Sequence, residues 1–186
     1  DGMYRTSNRR APHNVYGDPS VFLAGADATR AVPPPQQFLF APTAAEASAV
    51  VGGSPATSLV PSFPASKPSW TWDEASGKWL RFERGAPATV ATGAQLGSTN
   101  VVMIKVNLVD TGTKDPIGTT VYETVMVGSG EAIVATGGQI ITGTWSKTAT
   151  DAPMVLTGLD GTPITLAPGN TWVEMVPNAG GSIAVS

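Results

Sequence analysis

Cysteine is absent from the 186 residues. Disulfides, thiolate nucleophiles and cysteine metal sites are therefore excluded together. Histidine occurs once, as His13, and one histidine without cysteine cannot build a zinc site within the chain. No run matches the spaced Asp/Asn loop of a calcium hand. Neither a metal nor a cofactor is expected. Charge is scarce too: charged residues make up 13% of the chain, about half the usual ~25%. A net charge of -3 supplies no basic field, so nucleic-acid backbones have no electrostatic reason to bind. The charges are scattered, with no run suited to an anionic membrane. No apolar stretch approaches the ~20 residues of a membrane-spanning helix. The sequence opens at Asp1 without the basic and apolar regions of a signal peptide.

Catalytic motifs are missing as well. No Walker sequence and no G-x-S-x-G elbow occur. Gly128-Ser129-Gly130 reads as a tight turn, and Ile133 stands where a dinucleotide loop needs its third glycine.

What the chain has is punctuation. Gly (21) and Pro (16) make up about a fifth of it, and both break helices and fit turns. Many turns in a chain of this length mean many short elements, which favours strands. At this size folding hides roughly 70% of the surface, so a core can form without staples. Asp1 to Tyr16 reads as a polar, irregular lead-in. Asp18-Pro19 is an N-cap followed by proline at the first helical position, predicting a short helix through Val21, Phe22 and Leu23. Pro33-Pro34-Pro35 forces an extended connector. Thr43 to Glu46 has the spacing of a capping box, predicting a second helix that stops at Gly52-Gly53.

From Thr57 the period changes to two. Trp70-Thr71-Trp72 and Trp79 to Phe82 flank Asp73 to Lys78, the pattern of a β-hairpin. In Asn100 to Leu108, alternation places Val102, Ile104, Val106 and Leu108 on one face, with Lys105 and Asn107 on the other. Further strands are expected at Thr119 to Val127, Ala132 to Ala135, Ile140 to Trp145, Met154 to Thr157, Thr162 to Leu166 and Thr171 to Val176. The last two should form a core β-turn-β unit around a type II turn at Pro168-Gly169, with Trp172 packed inside. The expected fold is α+β and mainly β. Antiparallel sheets pack as a sandwich or a partly closed sheet, with one or two short helices near the N-terminus. Residues 1–186 read as a single β-rich domain, with lead-in and helices over 1–55 and strands over 57–186.

Two groups of residues could carry function. Trp70 and Trp72 share a strand face and could form an aromatic platform for a sugar or peptide. Packing on the sheet is the expected alternative, since each indole hides roughly 150–250 Å2. Trp145 and Trp172 are read the same way. The second group is Arg9-Arg10-Ala11-Pro12-His13-Asn14. Pro12 restricts Ala11 to extended backbone, which presents His13 and Asn14 at a fixed angle. Adjacent arginines can grip a carboxylate or phosphate. The same residues can instead form a polar lock, with His13 bonding through both ring nitrogens.

At these residues the sequence resembles the YerB-like family of bacterial envelope proteins, described as lipoproteins of unknown function. The resemblance rests on Arg10 to Asn14, on Trp70-Thr71-Trp72-Asp73 through Gly77 and Arg81, and on Asn100-Val101-Val102. It continues through Gly138 to Trp145 and Gly161 to Pro177, with Leu166 to Val173 the strongest run. The family carries an acidic residue shortly before Thr92-Gly93, where this chain has Thr89-Val90-Ala91. The resemblance implies an extracytoplasmic, cell-envelope location, with a lipid or signal segment and an N-terminal domain missing from this chain. That domain, an envelope protein or a wall polymer would be the partner. It implies no reaction. A non-catalytic binding module is the leading expectation; the alternative is an envelope hydrolase or transferase using His13 as general base and Arg10 as anion clamp.

Overall fold

The computed structural model describes residues 2–186. The chain divides into two compact units that meet in sequence at the triple proline, residues 2–35 and 36–186. The first begins with a hairpin of two three-residue strands, β1 (Met3–Arg5) and β2 (Val15–Gly17), in the stretch the sequence presents as irregular. Three residues are too few for a period-2 signal to register. Helix α1 (Pro19–Ala24) follows as anticipated, with the Asp18 carboxylate accepting from the Ser20 amide at 2.9 Å.

The second unit starts differently from the reading of Thr43 to Gly53 as one helix. A 3-10 turn over Ala44–Glu46 is followed by Ala47 in extended conformation, and only then by helix α2 (Ser48–Gly52). The Thr43 hydroxyl donates to the Glu46 carboxylate at 2.6 Å. The two capping side chains thus satisfy each other and leave the amides uncapped. Ala47 is fully buried, so packing overrides the local helix signal.

Thirteen strands then follow. The first six are β3 (Ser54–Pro55), β4 (Ser58–Ser62), β5 (Pro68–Asp73), β6 (Lys78–Glu83), β7 (Ala86–Pro87) and β8 (Gly97–Ser98). After them come β9 (Asn100–Lys114), β10 (Thr120–Val125), β11 (Gly128–Thr136), β12 (Gln139–Lys147), β13 (Val155–Gly158), β14 (Thr171–Pro177) and β15 (Ser182–Val185). They form two sheets, neither closed into a barrel. One runs β10-β9-β11-β12-β13, with β14 on β9 and β3 on β12; the other runs β15-β4-β5-β6-β7, with β8 on β6. The fold is mainly β, and its pairings are antiparallel except β14, which runs parallel to β9.

That exception corrects the β-turn-β reading of Leu166 to Val176. Thr162 to Leu166 is not a strand; it makes only isolated bridges at Thr157–Pro163 and Phe40–Leu166. Pro163 has no amide to extend a ladder, and the Asp160 carboxylate diverts the Thr162 amide and hydroxyl (2.9 and 2.7 Å). Gly169 has φ +143°, outside the ~+80° of a type II turn. A β-carbon there would meet the Thr99 hydroxyl oxygen at 2.5 Å. Gly128-Ser129-Gly130 is likewise strand, not turn. Gly130 is needed because a β-carbon would sit 2.5 Å from the Lys105 carbonyl oxygen, which accepts the Trp145 indole N–H at 2.8 Å. The tight turn falls at Gly137-Gly138, whose φ values of +61° and +71° suit glycine.

β9 is the centre of the second unit. The expected single apolar face is only half of it: Val102, Ile104 and Val106 enter one core cluster, while Val101 and Met103 enter another. A strand covered on both sides reads as a continuous apolar run, and its alternation carries less information. Past Val106 the strand leaves the packed layers, so Leu108 is 39% exposed and not a core residue.

Where β9 begins, Asn100 is fully buried and uses its whole amide. Its oxygen accepts from the Thr136 hydroxyl (2.7 Å) and the Ala167 amide (3.0 Å). Its nitrogen donates to the Ala167 carbonyl (2.9 Å) and the Thr171 hydroxyl (3.2 Å). Strands β9, β11 and β14 are thereby tied at one point. Asn100→Ala strips partners from several buried groups, so chemical denaturation is expected to show a loss on the order of 3 kcal/mol. A loss within the ±0.5 kcal/mol typical of surface substitutions would contradict this role.

Candidate functional site

The hairpin loop of the first unit holds Arg9, Arg10, His13 and Asn14. Ala11 and Pro12, joined by a cis peptide bond, form the centre of a turn closed by the His13 amide donating to the Arg10 carbonyl at 3.0 Å. Ala11 therefore lies within the turn that presents His13 and Asn14. Arg9, Arg10 and His13 are exposed. Among the described residues, the His13 ring has no hydrogen-bonding or ionic partner, and neither arginine is paired with a carboxylate. Asn14 does the anchoring: its oxygen accepts from the Arg5 guanidinium at 2.7 Å and its nitrogen donates to the Thr6 carbonyl at 3.3 Å. The two sides of the hairpin are joined through Asn14, while His13 takes no part in that bracing.

The second unit gathers its aromatics at the seam between its sheets. Trp70 on β5 is completely buried, and Trp72 on the same strand face is half-buried. Trp70 meets Trp172 of β14 edge-on, with ring centres 5.2 Å apart, and Trp72 is tilted against Trp79 at 5.5 Å. Trp172 is half-buried where full burial was expected, because it lies at the margin of the seam. Trp145 is buried in the other cluster.

Two charged residues complete this group. Glu174 of β14 is buried, and its carboxylate accepts the Trp70 indole N–H at 3.0 Å. The Arg81 guanidinium of β6 lies 5.1 Å from the Trp172 ring centre and 6.0 Å from that of Trp70. Its Nε is 4.0 Å from Glu174, and a terminal nitrogen is 3.3 Å from Glu83. Such stacking of a cation on indole faces is favourable, more so when desolvated. Burial raises the Glu174 pKa above the usual carboxylate range, and the Trp70 hydrogen bond and the Arg81 charge oppose that shift. The arrangement is a lock: β14 supplies the acid, β5 the indole donor and β6 the facing cation. Sequence reasoning missed Glu174, whose neighbours in β14 are apolar. A lone acid in a run read as core was the available signal.

Residues 59–173, more than half of the chain, match the family described as "Protein of unknown function (DUF3048) C-terminal domain". The chain belongs to that family. No curated protein matches it. Among solved structures, the YerB protein from Bacillus subtilis is similar at TM-score 0.70 and 17% identity, over 98% of this chain. The chain spans 59% of that protein's length. At that identity the likeness shows a shared fold and carries no chemistry.

Two measurements test the lock. A carboxyl whose folded pKa is raised favours folding most when protonated, so this contribution is full below the unfolded pKa and is lost as pH rises through the folded one. Wild type should gain stability relative to Glu174→Gln as pH falls from neutral into the carboxylate range. A pH-independent difference would show that Glu174 titrates as in the unfolded chain. Trp70→Ala should cost about 3–5 kcal/mol in urea denaturation, and Trp172→Ala less, in line with its partial exposure.

Proposed function

We propose that the chain is a non-catalytic module of the bacterial cell envelope, working outside the cytoplasm and binding a protein partner or a wall polymer. The observation that carries this reading is the setting of the two candidate acid–base groups. A general base needs a partner within hydrogen-bond reach and a concavity for substrate. His13 is exposed, and its ring has no acid or hydroxyl partner among the described residues. Glu174 is sealed between Trp70 and Arg81. Support for the location comes from the resemblance to YerB-like envelope proteins, whose anchor and further domain would lie outside this chain. The exposed Arg9 and Arg10 offer two guanidinium groups to an anionic partner, and the half-buried Trp72 offers an aromatic edge.

The test uses isolated cell-wall sacculi. The protein should co-sediment with them in a salt-sensitive manner and release no soluble fragments, and Arg9→Ala with Arg10→Ala should weaken binding several-fold, about 1 kcal/mol. Release of fragments that stops in His13→Gln would replace this reading with an envelope hydrolase. Full-length protein found only in the cytosolic fraction would overturn the location.

A further inference from the structure

Strand β15 ends its sheet, with β4 as its one neighbour. Ser58 and Ser186 exchange both of their backbone bonds, at 2.9 and 3.1 Å. Antiparallel ladders alternate between bonded and non-bonded pairs. In the register Ile183–Pro61 and Val185–Leu59, the backbone groups of Ile183 and Val185 therefore turn to the outer edge. Pro61 agrees with this, because it has no N–H to offer Ile183. Among the described residues, none bonds to those edge groups. Native edges are commonly guarded by charge, proline or a bulge. At the opposite end of this sheet, β7 has two residues and ends in Pro87. β15 reads Ser-Ile-Ala-Val and carries no such guard.

Beside this edge the face of the other sheet is uncovered. A cavity of about 380 Å3 opens there, floored by Glu131 and Ile133 of β11 and by Thr142 and Thr144 of β12. Leu159, 80% exposed, forms one wall. Of the described lining residues, Ile183 alone comes from the sheet of β15, so β15 is the rim. The volume lies within the ~300–1,000 Å3 of ligand sites. A strand laid beside β15 would extend its sheet and send alternate side chains into this space. The cavity also holds a charge without a counterion. Glu131 makes no ion pair among the described residues. Lys105 on the neighbouring strand turns its ammonium to the Pro177 and Gly181 carbonyls, at 2.7 and 2.9 Å.

We propose that the outer edge of β15 binds an extended peptide segment of a protein partner, which adds one strand to the sheet. The segment places an apolar side chain among Ile133, Leu159 and Ile183. Two residues away, on the same face, it places a lysine or arginine for Glu131, which matches the spacing of Glu131 and Ile133 along β11. Backbone bonds supply the affinity and the two inward side chains the specificity. This rests on reading the chain as a binding module and names its partner class. The test contains no wall material and leaves Arg9 and Arg10 in place, so its failure is distinct from failure of co-sedimentation.

The probe is a blocked seven-residue peptide, Thr-Leu-Thr-Lys-Thr-Leu-Thr, titrated into isotope-labelled protein and followed by NMR. The amides of Ile183 and Val185 should shift most, and saturably. Strand addition requires unequal effects from methylating two sets of peptide amides, those of the threonines and those of the inward residues. One set should weaken binding by about tenfold or more, roughly one lost pair of backbone bonds, and the other little. Glu131→Gln should weaken the lysine peptide by about two- to fivefold and leave a norleucine version unchanged. Absence of shifts at Ile183 and Val185, or equal effects of the two methylated sets, would overturn the proposal. So would tighter binding of a peptide with glutamate in place of lysine. Shifts of these amides with protein concentration alone would also overturn it, by assigning the edge to a second copy.

Discussion

A carboxylate buried between two sheets has to be neutral or paired, because removing an unpaired charge from water costs far more than a domain's net stability. Glu174 meets that constraint in both ways. Burial raises its pKa, while Trp70 and Arg81 bond and balance its charged form. Three strands depend on this arrangement, since the acid comes from β14 and its partners from β5 and β6. Apolar packing can join two sheets in several sliding positions. A hydrogen bond from one indole to one carboxylate fixes a single one, which is the specificity that buried polar groups can confer on a core.

Asn100 applies the same logic within a sheet. Parallel pairing of β14 with β9 follows a connection whose backbone groups lie near the core, where unpaired amides are costly. One asparagine side chain serves the Ala167 amide and carbonyl on that connection and reaches Thr136 on the opposite strand. Asn170 complements it from the other end, accepting from the Thr99 amide at 3.1 Å and donating to the Gly97 carbonyl at 2.9 Å. The crossover is therefore held by side chains where a hairpin would have used its own ladder.

Legibility in the sequence followed the range of the interactions. The Trp70–Phe82 hairpin, α1 and the stop at Gly52-Gly53 were readable because turn glycine, N-cap and proline act within a few residues. Gly130 was misread because its cause is the Lys105 carbonyl, distant in sequence. β9 was readable as a strand but not as a doubly covered one, since Val101 and Met103 are buried by a sheet that alternation cannot reveal. Of the candidate site, Trp70 and Trp72 were found as residues, while the acid that gives Trp70 its role was not. His13 was expected to lock its loop through both ring nitrogens, yet the bracing bonds belong to Asn14.

Apart from Arg10 to Asn14, which lie in the hairpin loop of the first unit, the residues that carried the family resemblance hold the framework together. Asn100, Gly169, Asn170, Thr171 and Trp172 converge on the joint between β9 and β14, Gly138 makes the β11–β12 turn, and Trp70 and Arg81 close the seam between sheets. Each satisfies a buried backbone group, a turn geometry or a buried charge. A motif of that kind reports how a fold is held together, and a protein can share it with relatives of any activity. That is why the family could be recognised from sequence while no reaction came with it. Functional differences within such a fold belong on surfaces the framework leaves free. In this chain Arg9 and Arg10 lie on such a surface, exposed and, among the described residues, paired with no carboxylate.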